Sequence, residues 1–256
     1  MELKQHLIPK LKALRLSGIL DTLEVRTQQA LGEQWTYGDF LERLLEDEVE
    51  RRGQKQLAMR LRRAALNIRT CPDKTLETFD FTFNPGLNRQ LIYELAAGHY
   101  IHDKRNVLIC GPTGVGKSHL AQALAHEACR RGLDVVFTDA HKLLRHLNAG
   151  RADNTYDKRL ALYTRADLLV IDDFGLKPMS NPADMYDVIC ERYEKGSILL
   201  TSNRAPAEWA SWFVDPLLAS AGLDRLSHRA HSIIITGSSY RAKDRLPLGE
   251  KGASIA

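Results

Sequence analysis

A chain of 256 residues with 44% hydrophobic content can bury a full domain core and a smaller second unit, which excludes a disordered protein. The formal net charge of +4 is too mild to establish nucleic-acid binding by its sum alone. Cys71, Cys110, Cys129 and Cys190 stand far apart with no C-x-x-C pair, and the lysine-interrupted start lacks the apolar run of a signal peptide or membrane span. We therefore expect a cytoplasmic protein without disulfides, structural zinc or membrane association.

From Leu3 to about Asn67 apolar residues recur at helical spacing, as in Phe40, Leu41, Leu44 and Leu45, with no strand signal. This predicts a separate helical domain over residues 1–70, serving DNA or partner binding and self-assembly. Its charges are segregated. Asp39 to Glu50 is mainly acidic, whereas Arg51, Arg52, Lys55, Arg60, Arg62, Arg63, Arg69 and Lys74 meet only Asp73. Such a block is either a solvated helix face or a surface that neutralises DNA phosphates. Cys71-Pro72-Asp73 then breaks the helix, and a linker carries Pro85-Gly86.

Beyond the linker, apolar runs alternate with helical patterns, the signature of βαβ units around a parallel sheet. Strands are expected at 107–110, 134–138, 168–172, 197–201 and 232–236, and helices near 117–131, 140–149, 155–165 and 182–194. The α/β core should span residues 71–240, followed by a flexible tail, 241–256, with Pro247, Gly249 and Gly252.

The first of these strands runs into Gly111-Pro112-Thr113-Gly114-Val115-Gly116-Lys117-Ser118, a complete G-x-x-x-x-G-K-S phosphate loop. Its glycines allow backbone N–H groups to turn inward around a polyphosphate. Lys117 supplies charge to the outer phosphates, Ser118 a hydroxyl for Mg2+, and the following helix its positive end. A nucleoside triphosphate with Mg2+ is the expected ligand pair. Leu168-Leu169-Val170-Ile171-Asp172-Asp173 is an apolar strand ending in two carboxylates, the form of a Walker B element. Asp172 is expected to hold the metal, and Asp173 to orient or deprotonate the attacking water, although the glutamate more usual at the second position is longer. Asn203, ending the apolar strand from Ser197, would stand beside the γ-phosphate as a sensor 1 residue.

The chain resembles the IstB-like ATP-binding proteins, ATPase helpers of insertion-sequence transposition related to DnaC-type helicase loaders. The resemblance covers nearly the whole chain. It is carried by the helical N-terminus, NVLICGPTGVGKSHLAQALA (106–125), LLVIDDFG (168–175), ILLTSNRAPAEW (198–209), LDRLSHRA (223–230) and SSYR (238–241). It implies an AAA+ P-loop NTPase core with a five-stranded parallel sheet of order 5-1-4-3-2. It also implies hydrolysis of ATP to ADP and phosphate, and ATP-dependent assembly into a ring or spiral on duplex DNA. The cognate transposase is the implied protein partner, and target-site selection the implied task.

In that family an arginine from one subunit completes its neighbour's site. Arg225 matches that position, with Arg229 the near alternative. No helical lid domain is expected after residue 237, so a lid-borne sensor 2 arginine is missing or is partly replaced by Arg241. The stretch 140–163 is longer than a simple crossover needs, where DnaA- and DnaC-like ATPases project an extra helix toward DNA. Lys142, Arg145, His146, Arg151, Lys158 and Arg159 supply positive charge there, and the absence of interleaved aromatics implies backbone contacts of little sequence specificity. The alternatives are a helicase loader and, less favoured, a P-loop small-molecule kinase; a nonhydrolysing nucleotide-gated scaffold also remains open.

Overall fold

The computed structural model describes residues 2–66, 74–177, 181–213 and 215–240, with side chains described from residue 6 onward. Arg69, the break at Cys71-Pro72-Asp73, Arg241 and the tail expected at 241–256 lie outside the described residues. Two compact units divide the chain, Met1–Arg60 and Leu61–Ala256.

The first unit is helical. It contains α1 (Glu2–Ala13), α2 (Ser17–Glu33) and most of α3 (Tyr37–Arg63), which continues past the boundary. Helix α2 has no local side-chain cap at Leu16, so its first amides need another acceptor. Glu48 of α3 provides it: the buried carboxylate accepts from Gly18 N at 2.6 Å and also holds Arg52 Nε at 2.6 Å. A Cβ at Gly18 would lie 2.6 Å from the Glu48 Cα, so glycine permits this close helix crossing. Asp47 takes a two-point grip from Arg26 at 2.8 and 2.6 Å, and that guanidinium holds its carboxyl down at about 2.

In the second unit α4 (Arg89–Ala96) and the single turn α5 (His99–His102) precede β1 (Val107–Cys110). Then follow α6 (Lys117–Arg130), β2 (Val135–Asp139), α7 (Ala140–Ala152), α8 (Tyr156–Thr164) and β3 (Leu168–Phe174). The series closes with α9 (Pro182–Arg192), β4 (Ser197–Ser202), a 3-10 helix (Pro206–Trp212), α10 (Pro216–Ser227) and β5 (His231–Ile234). All pairings are parallel, in the order β2-β3-β4-β1-β5, which is the expected 5-1-4-3-2 read from the other edge. β1, β3 and β4 are buried along almost their whole length because helices cover both faces of the sheet.

Apart from β1, which lies where expected, the elements shift by up to three residues at their ends, and β5 stops at Ile234 rather than 236. Helices α4, α5 and α10 were not expected. In α10, Gly222 and small alanines interrupt the apolar pattern; Gly222 allows close packing, since a Cβ there would meet the Tyr186 ring at 3.3 Å. The start is set by Asp215, whose carboxylate accepts from Leu217 N at 2.8 Å, followed by Pro216.

A second fixture joins the ends of the strands opposite the phosphate loop. Arg192 is fully buried, and its guanidinium donates to the carbonyls of Tyr163 (2.7 Å), Ala166 (2.9 Å) and Ser197 (2.7 Å). These bonds tie the last turn of α8 and the entrance to β3 to the entrance of β4. Carbonyls accept from both terminal nitrogens of this buried cation, while its Nε has no hydrogen-bond partner.

Candidate functional site

The phosphate loop follows β1 at the C-terminal ends of the strands, where open α/β sheets place their ligands. Gly116 forms the N-terminal boundary of α6 with φ +97°, a conformation costly for other residues, and a Cβ there would press on the Phe79 ring at 3.2 Å. Asn84, from the stretch expected to be linker, is buried and donates through Nδ2 to Val115 O at 2.9 Å. Tyr240 N donates to Gly114 O at 2.9 Å, so the chain returns to the loop at its last described residue. Lys117 is buried, with Nζ donating to Pro112 O at 2.7 Å.

The two aspartates meet this loop by a distortion of β3. The register with β4 runs from Ile171↔Leu200 to Phe174↔Ser202, so Asp172 and Asp173 occupy a bulge. Asp173 takes φ +55°, a left-handed conformation that costs a non-glycine residue on the order of 1–3 kcal/mol. The distortion directs Asp172 to the loop: Ser118 Oγ donates to its Oδ1 at 2.9 Å. A buried carboxylate and a hydroxyl side by side are hard oxygen donors of the kind Mg2+ takes beside phosphates, so the residues present fit that ion.

A residue that sequence reasoning passed over joins the same group. Thr201 is fully buried in β4; its hydroxyl donates to Asp172 Oδ1 and accepts from Asp173 N at 3.0 Å. The available signal was a hydroxyl placed directly after the apolar run Ile198-Leu199-Leu200.

A cavity of about 420 Å3 opens beside the loop. Lys117, Ser118, Asp173 and Asn203 line it, together with Phe79, Phe83 and Tyr240. The stretch 74–84 is thus a wall of the cavity as well as a connector. Its Thr75 carbonyl lies 3.1 Å from His119 Nε2, and burial pulls the pKa of that imidazole down. Burial also pushes the Cys110 thiol up to about 11, which makes it unreactive near neutral pH.

Arg225 is not with this group. Its guanidinium donates to Ala221 O at 2.9 Å and lies about 6 Å from the Tyr186 and Tyr193 rings. It lines a cavity of about 210 Å3 with residues that precede β1 and β4, including Asn106 and Gly196. That cavity is at the opposite end of the sheet from the phosphate loop. Arg229 lines it too, at a turn with φ +54°.

Several of the basic residues read as DNA contacts are engaged within the chain, although Arg51, Arg52 and Arg151 are exposed as well. Arg51 pairs with Asp21, and Arg52 with Glu48. Arg151 pairs with buried Asp184 at 2.5 Å and stacks on Tyr156, while Arg159 bonds His146 O at 2.9 Å and Asp153 at 2.6 Å. These contacts hold α7 and α8 together and to α9; buried Leu143, Leu144 and Leu147 pack α7 against the core. His146 is bound to Tyr163 OH at 2.8 Å. Lys55, Arg62, Arg63, Arg145 and Lys158 are exposed, Arg60 is half-buried, and Lys142 reaches back to Asp139 while 71% exposed. Among the described residues no helix is long and apolar enough to cross a membrane.

The profile of the IstB-like ATP-binding proteins matches residues 9–247. An insertion-sequence ATP-binding protein of Mycobacterium tuberculosis is 40% identical over 92% of this chain and 93% of its own length. The ATP-binding protein of insertion sequence IS21 from Pseudomonas aeruginosa is 37% identical over 95% of this chain and 90% of its own. Among solved structures, the replication initiator DnaA bound to AMPPCP and single-stranded DNA is 25% identical with a TM-score of 0.51, over 65% of this chain and 51% of that one. The DnaC helicase loader, 22% identical with a TM-score of 0.50 over 57% of this chain and 86% of its own, shares the fold.

Proposed function

The chain belongs to the IstB-like ATP-binding protein family, and we propose that this AAA+ ATPase assembles on duplex DNA in its ATP-bound state to assist its insertion sequence's transposase at the target site. The observation that carries this reading is the division of one set of chemical groups between opposite ends of the sheet. Loop, Ser118–Asp172 pair, Asp173 and Asn203 line one end; Arg225 stands at the other, separated by the length of β1, roughly 13 Å. A site completed by a second copy accounts for both positions, and head-to-tail contact between copies leads to a ring or spiral.

In this reading Lys117 leaves Pro112 O to meet the outer phosphates, while Ser118 and Asp172 hold Mg2+. With the triphosphate bound, that ion supplies neutralisation of the charge that builds on the transferred phosphoryl group. Asp173 takes a proton from the attacking water, Asn203 orients that water against the γ-phosphate, and ADP and phosphate leave. Arg225 of a neighbouring copy neutralises the same charge from outside. Exposed Lys55, Arg62, Arg63, Arg145 and Lys158 supply phosphate-backbone contacts, whereas Arg51, Arg52, Arg151 and Arg159 would first have to leave internal partners. Hydrolysis then releases or remodels the assembly, and the N-terminal helices serve self-assembly or partner docking.

Lys117→Ala tests the foundation. Losing a buried charge that faces phosphates should weaken ATP binding by on the order of a hundredfold and abolish ATP-dependent retention of duplex DNA. Titration with a fluorescent ATP analogue and filter retention of labelled duplex measure the two effects. Unchanged ATP affinity would remove the basis of the proposal.

A further inference from the structure

We infer that Thr201 is a positioning residue for hydrolysis: one buried hydroxyl sets both the orientation of Asp172 and the backbone turn that presents Asp173. The inference rests on the ATPase reading of the site and deepens it.

The reason begins with the bulge. A regular parallel ladder would give the Asp173 N–H a carbonyl partner on β4, but the register jump from Ile171↔Leu200 to Phe174↔Ser202 removes it. An amide left without a partner in this half-buried place would be costly. Thr201 Oγ1 accepts that N–H at 3.0 Å and so replaces the missing ladder bond, which holds Asp173 at φ +55°. The same oxygen spends its own proton on Asp172 Oδ1. Its donor and acceptor functions are therefore both directed at the two carboxylate-bearing residues.

Asp172 Oδ1 has a second donor, Ser118 Oγ at 2.9 Å. The serine is the hydroxyl assigned to the metal, so on loading it is no longer dedicated to orienting the carboxylate. Thr201 has no competing duty and keeps Asp172 in place through that change. Thr201 also lies two residues before Asn203. A shift of the β4 end that follows Asn203's contact with the γ-phosphate would reach both aspartates through one side chain. A valine of nearly the same shape would fill the same buried space, so packing alone does not require the hydroxyl.

The test compares Thr201→Val and Thr201→Ser in the full-length chain. Steady-state phosphate release gives kcat and KM; a fluorescent ATP analogue gives affinity in EDTA and the Mg2+ concentration for half-maximal tightening. Thr201→Val should lower kcat by on the order of tenfold to a hundredfold, the span carried by one hydrogen bond to a charged group. It should also raise the Mg2+ requirement several-fold and leave affinity in EDTA unchanged, while Thr201→Ser restores both properties. If the valine variant does not fold, Thr201→Ala is read by the same criteria. Wild-type kcat and Mg2+ dependence in a folded variant lacking the hydroxyl would overturn the inference, as would an equal loss of affinity in EDTA. Lys117→Ala is run alongside. Wild-type ATP affinity in that control would fail the ATPase reading itself, whereas weakened binding there with normal Thr201→Val kinetics fails the role of Thr201 alone.

Discussion

Replacing Arg225 with alanine should lower the assembled ATPase rate by on the order of 10³-fold while leaving nucleotide binding to a single copy intact. The magnitude follows from removing a fixed positive charge from a phosphoryl group in transfer. Binding is spared because Arg225 lies at the far end of the sheet, bonded to Ala221 O, and does not line the phosphate-loop cavity. Mixing makes the prediction specific. Copies carrying Arg225→Ala retain an intact loop, and copies carrying Lys117→Ala retain the arginine. Together they should form junctions where the first type's loop meets the second type's Arg225. Phosphate release across mixing ratios should therefore exceed that of either parent and peak at intermediate composition. A straight line between the parents contradicts a shared site. Arg229→Ala in the same series identifies the trans residue, because both arginines line one cavity.

Asp173→Asn should reduce hydrolysis by on the order of 10²–10⁴-fold, the contribution of a general base, with ATP affinity retained. Asparagine keeps the size of the side chain and tolerates the left-handed conformation at φ +55°. The backbone N–H that meets Thr201 is unchanged as well. What disappears is a carboxylate able to accept the proton from water. On the proposed reading, in which ATP occupancy holds the assembly, this variant should remain on duplex DNA in ATP for as long as wild type does with a nonhydrolysable analogue. Dissociation after a challenge with excess unlabelled duplex measures the lifetime. Normal hydrolysis would assign the base elsewhere, and rapid dissociation despite blocked hydrolysis would separate ATP turnover from release.

The parts of this site that were legible in the sequence are those whose chemistry is local. The phosphate loop needs its glycines at fixed spacing, and the apolar run into Asp172-Asp173 needs only that a buried strand end in charge. The expected sheet order came with the family resemblance, and the observed pairings agree with it. Thr201 was not legible because its role depends on a bulge in a different strand. Asn84, Phe79 and Tyr240 were missed because they reach the loop only through tertiary contacts from stretches distant in sequence. Helix α10 was hidden by glycine and alanines that allow it to pack closely on α9. Charge density was equally incomplete as a guide: Arg151 and Arg159 stand in a basic stretch, yet their guanidiniums fasten α7, α8 and α9 together.

In the proposed reading, nucleotide occupancy controls assembly on DNA. Sedimentation of the full-length protein with and without a nonhydrolysable ATP analogue, in the presence and absence of duplex or single-stranded DNA, tests it most directly. A large particle should form with the analogue and carry duplex DNA, and it should be absent in Lys117→Ala. A monomer that stays unchanged with nucleotide and either form of DNA would contradict that reading.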